Sequence, residues 1–254
     1  MRFLSVAHTD VGISKKINQD AFCLKIAKTP TANIAFAVMC DGMGGLRDGE
    51  YASALVVNAF SRWFETELPL MQSIQMNAVT ARWKEIVLDQ GRKILEYGRA
   101  RGISLGTTLT AFLIVNDQYA CVHVGDSRLY RIGTYISQVT RDQTVAAHEV
   151  ELQRMTAEEA KTDRRSSILL QCVGASTVIE PALMTGFVEE NEAYMLCSDG
   201  FRHQVSEEEM FGVIAPHLLT SEKIMKKSLV DLTELNKSRN ERDNISAILI
   251  KTIH

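Results

Sequence analysis

Between Glu50 and Arg99 the chain carries two long runs of helical periodicity, one after the other, while most apolar runs on either side are short and rich in β-branched residues. In the first helical run Ala52, Leu55, Val56, Ala59, Phe60 and Trp63 share a face. In the second, which begins at Met76, the face is marked by Val79, Trp83, Ile86, Val87, Ile94 and Tyr97. FLSVAH, AFCLKIA and IAFAVMC precede the pair; TLTAFLIV, YACVHVG, ISQVT, YMLCSDG and ISAILIKT follow it, each a strand candidate bounded by turn residues. Ser206 with Glu209 makes a capping box before a short helix, and Ser221 to Leu235 is amphipathic. Strands separated by paired helices predict sheets covered by helices, an α+β architecture. No linker, repeat or low-complexity stretch divides the chain, so one domain spanning 1–254 is expected. The least regular stretch, Val145 to Ser167, is polar, holds a second capping-box pattern at Thr156 and Glu159, and reads as an exposed excursion from the core.

A chain of 254 residues with 46% hydrophobic residues can bury a sizeable core. Its net charge of −3, with the charges interspersed, excludes a sequence-independent nucleic-acid binder, which needs a basic face. The five cysteines stand apart in apolar stretches without a CxxC pair, as reduced core thiols do in a reducing compartment. The N-terminal MRFLSVAHTD lacks the basic and long apolar regions of a signal peptide, and runs such as Ile34 to Cys40 are too short to cross a membrane. The expectation is a soluble cytoplasmic monomer with neither nucleic acid nor membrane as partner.

Aspartates recur beside the strand runs, mostly next to glycine. Asp41 follows IAFAVMC and opens DGMGG; Asp126 follows YACVHVG; Asp199 follows YMLC; Asp243 precedes the last strand; Asp20 closes INQD before a strand. Any one of these is an ordinary turn residue. Together they predict carboxylates converging on one cleft, where like charges resist ionising unless cations neutralise them. Oxygen ligands without clustered His or Cys select hard ions such as Mg²⁺ or Mn²⁺. Gly42, Gly44 and Gly45 allow close backbone approach, so a carbonyl can also serve as ligand. Two such cations suit phosphoryl hydrolysis, because they clamp the phosphate and activate a water.

The set TDVGISKKINQD, CDGMGG, GTTLTAFL, HVGDSRLY, SDG and RDN, in this order from Thr9 to Asn244, resembles the metal-dependent protein phosphatases, the type 2C serine/threonine phosphatases, and most closely their compact bacterial members. The resemblance implies a four-layer α-β-β-α sandwich, two antiparallel sheets flanked by helices, with two or three divalent cations (Mn²⁺ or Mg²⁺) at one edge. It implies Asp41 as the ligand shared by two metals and Gly42 as a carbonyl ligand. Asp199 and Asp243 are further ligands, Asp126 a ligand of a third metal and Asp20 an acidic residue close to the metals. The stretch 145–167 falls where the family carries a mobile, substrate-selecting flap. The implied activity is hydrolysis of phosphoserine and phosphothreonine on proteins, with Asp41 and Lys15 as catalytic residues and substrates supplied by a serine/threonine kinase.

Two departures bear on this. Lys15 stands where family members usually place the Arg that holds the substrate phosphate, and a lysine supplies a point charge without the bidentate fork. Gln19 stands where Glu is common, which removes a negative charge. They leave open a pseudophosphatase that binds phosphoproteins without turnover; a hydrolase of small phosphoesters is a second alternative. Met43 is given no catalytic role, and the six histidines show no metal-ligand spacing. His123 reads as a satisfied core histidine, Trp63 and Trp83 as core, and Lys226 and Lys227 as solvated.

Overall fold

The computed structural model describes residues 1–43 and 48–254; Gly44 and Gly45 lie outside the described residues. In chain order the elements are β1 (Arg2–Asp10), β2 (Asp20–Lys28), β3 (Asn33–Met43), α1 (Gly49–Thr66), α2 (Met76–Arg101), β4 (Gly106–Thr107), β5 (Leu109–Val115), β6 (Gln118–Val124) and β7 (Arg128–Ile132). There follow β8 (Ile136–Gln138), α3 (Val145–Glu151), α4 (Ala157–Thr162), β9 (Ala182–Phe187), β10 (Ala193–Cys197), α5 (Glu207–Ile214), α6 (Glu222–Ser238) and β11 (Ile245–Ile253). The strands form two sheets with antiparallel pairing. One runs β1-β11-β10-β7-β8 and the other β2-β3-β5-β6-β9, with β4 paired to the end of β3.

The layering follows from the strand that reads as an unbroken apolar run. Ile34 to Cys40 is buried on both faces. Ile34, Phe36, Val38 and Cys40 point into a core shared with Val56, Phe60, Trp63, Val79 and Trp83 of α1 and α2. Ala35, Ala37 and Met39 point the other way, toward Leu129, Tyr194, Leu196, Ile248 and Ile250 of the second sheet. That sheet turns Ile245, Ala247 and Leu249 outward against Met210 and Ile214 of α5 and Met225, Leu229 and Leu232 of α6. The result is helices, sheet, sheet, helices, the four-layer sandwich that the family resemblance implies.

Four expectations need correction. β7 and β9 are strands the patterning missed. The stretch 145–167 is largely exposed, as expected, but more regular than its patterning: it holds α3, capped by Thr144, and α4, capped by the predicted box in which Thr156 and Glu159 bond reciprocally. β3 does not stop before Asp41 but runs through it, because Gly42 and Met43 pair with Thr107 and Gly106. Lys226 is not merely solvated. Its Nζ donates to the Ala7 carbonyl (2.6 Å) and so ties α6 to β1, while Lys227 pairs with Asp231 one turn on.

Candidate active site

The register of β2 and β3 sets Asp20 directly opposite Asp41, so two carboxylates share one face at the end of this strand pair. Like charges in that position destabilise a sheet. Asp41 is fixed through its backbone: its N–H donates to Thr108 Oγ1 (2.9 Å), and its carbonyl accepts from Thr108 N and Thr107 Oγ1 (both 2.9 Å). Gly42 N–H donates to the Gln19 carbonyl (3.0 Å). A Cβ on Gly42 would lie 2.2 Å from the Gly49 carbonyl oxygen, so only glycine lets the start of α1 close over this strand end.

The second sheet brings its own carboxylates to the same place. Asp199 opens a single 3-10 turn, Asp199–Phe201, directly after β10, and Asp243 lies in the loop that enters β11. The two loops pack backbone on backbone, since a Cβ on Gly200 would meet the Asn244 carbonyl oxygen at 2.2 Å. Ser198 joins the sheets by donating its hydroxyl to Asp20 Oδ2 (2.9 Å). Asn244 fastens the β1–β2 loop: its Oδ1 accepts from Gln19 N–H (2.9 Å), and its amide donates to the carbonyls of Val11 (2.9 Å) and Ile17 (3.2 Å). That loop carries Lys15, whose Nζ stands 3.0 Å from Asp243 Oδ1.

Electrostatics make one cleft of these pieces. Burial pushes Asp41 well above the ordinary carboxylate range, and Asp20, Asp199, Asp126 and Asp243 all push it further. Burial, with Asp199 and Asp243, holds Asp20 at about 7 against two serine hydroxyls that favour its ionised form. Asp126, only 5% exposed, is likewise raised to about 7 by burial and Asp199. Among the described residues, Asp20 Oδ1 and Asp199 Oδ1 are buried without a hydrogen-bond partner. Among the described residues no three His, Cys, Asp or Glu side chains already surround a single point. The donors nonetheless fit hard divalent cations: they are carboxylate oxygens, two of them orphaned, held where a neutralising charge is needed.

Arg202, Asp142, His203 and Glu241 escaped the sequence reading. Arg202 Nη2 donates to the Asp126 carbonyl (3.1 Å) and stands 3.4 Å from Asp142. Asp142 in turn grips Arg128 with both oxygens (2.8 and 2.7 Å), which keeps its carboxyl below the usual range despite burial. His203 lies between Asp199 and Glu241; burial opposes its protonation, but the two carboxylates outweigh burial and raise its pKa. Only His203 left a local signal, four residues after Asp199. The expectation for His123 holds: Nδ1 meets Thr110 Oγ1 and Nε2 meets the Arg141 carbonyl, both at 3.0 Å.

A family model described as protein phosphatase 2C matches residues 11–234. The chain belongs to the protein phosphatase 2C family. Protein phosphatase PhpP of Streptococcus pneumoniae is 28% identical over 218 residues, 85% of each chain. The solved serine/threonine phosphatase of S. agalactiae is 27% identical with a TM-score of 0.83, covering 98% of this chain and 99% of its own. The catalytic domain of the phosphatase PstP, solved in complex with two manganese ions, is 25% identical with a TM-score of 0.80, covering 99% of both chains. The S. agalactiae protein and PstP are serine/threonine phosphatases, and this chain of the protein phosphatase 2C family is a serine/threonine protein phosphatase.

Proposed function

We propose that the whole chain acts as one catalytic unit that hydrolyses phosphoserine and phosphothreonine in proteins with two or three divalent cations, Mn²⁺ or Mg²⁺. The observation that carries this is the face-to-face Asp20–Asp41 pair, beside oxygens of Asp20 and Asp199 that have no hydrogen-bond partner among the described residues. When bound, the cations would neutralise this cleft and activate a water for in-line attack on phosphorus. Asp41, Asp199 and Asp243 would hold them with their carboxylates, Gly42 with its carbonyl, and Asp126 would serve a third position; Asp20 would stay close by and shape the field. Asp41, fixed through its backbone, would present its carboxylate to the cations. Lys15, on a loop fastened by Asn244, offers its ammonium to the substrate phosphate. The segment 145–167 would contact the protein around the phosphoresidue.

The same reading sets the chain in the cytoplasm, as a monomer acting against a serine/threonine kinase in signalling. Its five free cysteines, four of them buried, suit a reducing compartment. Among the described residues no helix is long and apolar enough to cross a membrane. Nothing in the site favours the pseudophosphatase alternative. The test is release of phosphate from a phosphopeptide after dialysis against chelator. Activity should vanish and return with Mn²⁺ or Mg²⁺; full activity in excess chelator would sink the reading.

A further inference from the structure

We infer that His203 and Glu241 form a positioning bridge that sets the spacing between Asp199 and Asp243; the inference rests on the assignment of those two carboxylates to the metal cleft. The ladder between β10 and β11 ends near Cys197 and Ala247, with one further backbone bond from Ser198 N–H to the Ser246 carbonyl (3.0 Å). Beyond that point the two ligand-bearing loops stay close at Gly200 and Asn244 without further ladder bonds, and side chains fix their spacing. Glu241 does this with both oxygens. Oε1 accepts from the backbone N–H groups of Arg242 (2.8 Å) and Asp243 (2.9 Å), which fixes the turn that presents Asp243. Oε2 stands 3.4 Å from His203 Nδ1, and His203 Nε2 stands 3.4 Å from Asp199 Oδ2. Each end is anchored: Glu241 N–H donates to the Asn236 carbonyl at the end of α6 (3.0 Å), and His203 N–H donates to the Asp199 carbonyl (3.1 Å).

The bridge also divides the labour of the Asp199 carboxylate. Oδ2 faces the imidazole, whereas Oδ1 has no hydrogen-bond partner among the described residues. The imidazole thus sets the rotation of the carboxylate and leaves Oδ1 as the oxygen for a cation. Partners behind metal ligands typically change metal affinity by about tenfold to a hundredfold when removed.

Calorimetric titration of the full chain with Mn²⁺ tests this, beside phosphopeptide kinetics at limiting and saturating Mn²⁺. His203→Ala should weaken Mn²⁺ binding by about tenfold or more, and its activity loss should shrink at saturating Mn²⁺. Glu241→Ala should behave alike. Glu241→Gln keeps a carbonyl for the two backbone donors and an amide for a neutral imidazole, so it should bind Mn²⁺ nearly as the wild type does. A residue that only fills space would change the melting temperature and leave Mn²⁺ affinity alone. A folded His203→Ala with wild-type affinity would overturn the bridge. If that variant fails to fold, His203→Phe, which keeps the ring and removes its nitrogens, decides the matter by the same measurement. Wild-type protein that takes up no Mn²⁺ would instead overturn the metal assignment, and the bridge with it.

Discussion

Lys15 and Asp243 are each about two-fifths exposed and face each other at 3.0 Å. Burial works against the lysine's charge, yet Asp243, then Asp41 and Asp199, raise its pKa, so it stays an ammonium at neutral pH. A substrate phosphate therefore competes with Asp243 for this group. Lys15→Ala should lower kcat/KM by about tenfold, equivalent to about 1.4 kcal/mol, and Lys15→Arg should retain or raise it. Steady-state kinetics on a phosphopeptide decide, and an unchanged kcat/KM in Lys15→Ala would remove the residue from the site. Asp41→Asn tests the carboxylate cluster from the other side. Taking one charge out of a crowded cleft should leave the chelated protein as stable or more so. The same change should shrink its melting shift with Mn²⁺ and cut turnover by orders of magnitude. A mutant that keeps both its shift and its turnover would refute the role given to Asp41. At this scale the sequence was legible where a residue's neighbours along the chain define it: Asp41, Asp126 and Asp199 each follow an apolar strand run. Asp142, Arg202 and Glu241 stayed hidden because their partners arrive from other parts of the chain.

α1, α2, α5 and α6 follow their apolar faces closely, and both capping boxes form, since caps and periodicity are local physics. β7 and β9 were illegible for the complementary reason. RLYRI is interrupted by two arginines, and ALMTGF carries Ala and Gly, which strands disfavour; pairing with β10 and β6 makes strands of them. The segment 145–167 is closed at its base. Val145 N–H donates to the Ile168 carbonyl (2.9 Å), Leu170 N–H donates to the Gln143 carbonyl (2.8 Å), and Thr144 bridges Leu169. Cutting it back above that base should therefore leave the sandwich folded. Such a variant should lose turnover of a phosphoprotein more than turnover of a small aryl phosphate. Equal losses on both, with an unchanged circular dichroism spectrum, would count against a substrate-selecting role.

Across the whole molecule the cleft couples stability to pH. Burial and neighbouring aspartates push Asp20 and Asp126 from 3.8 up to about 7 in the folded chain. Folding thus favours their protonated forms, and the stability they contribute is full below 3.8 and lost as pH rises through about 7. In chelator, wild type should lose melting temperature relative to Asp20→Asn across that window, and excess Mn²⁺ should close the gap. Parallel pH profiles of the two proteins would expose a missing effect at once. That helices cover sheets was legible from the strand and helix periodicities, and the order of the four layers only from the family resemblance; which strand neighbours which was not, because order within a sheet is settled by contacts far apart in sequence. The cleft itself straddles both layers, with Asp20 and Asp41 from one sheet, Asp199 and Asp243 from the other, and Ser198 reaching across to Asp20. A cation lodged there would work as a rivet through two plates, resisting shear between them. Its grip should then be felt far from the chemistry, as slower amide hydrogen exchange along β3 and β11.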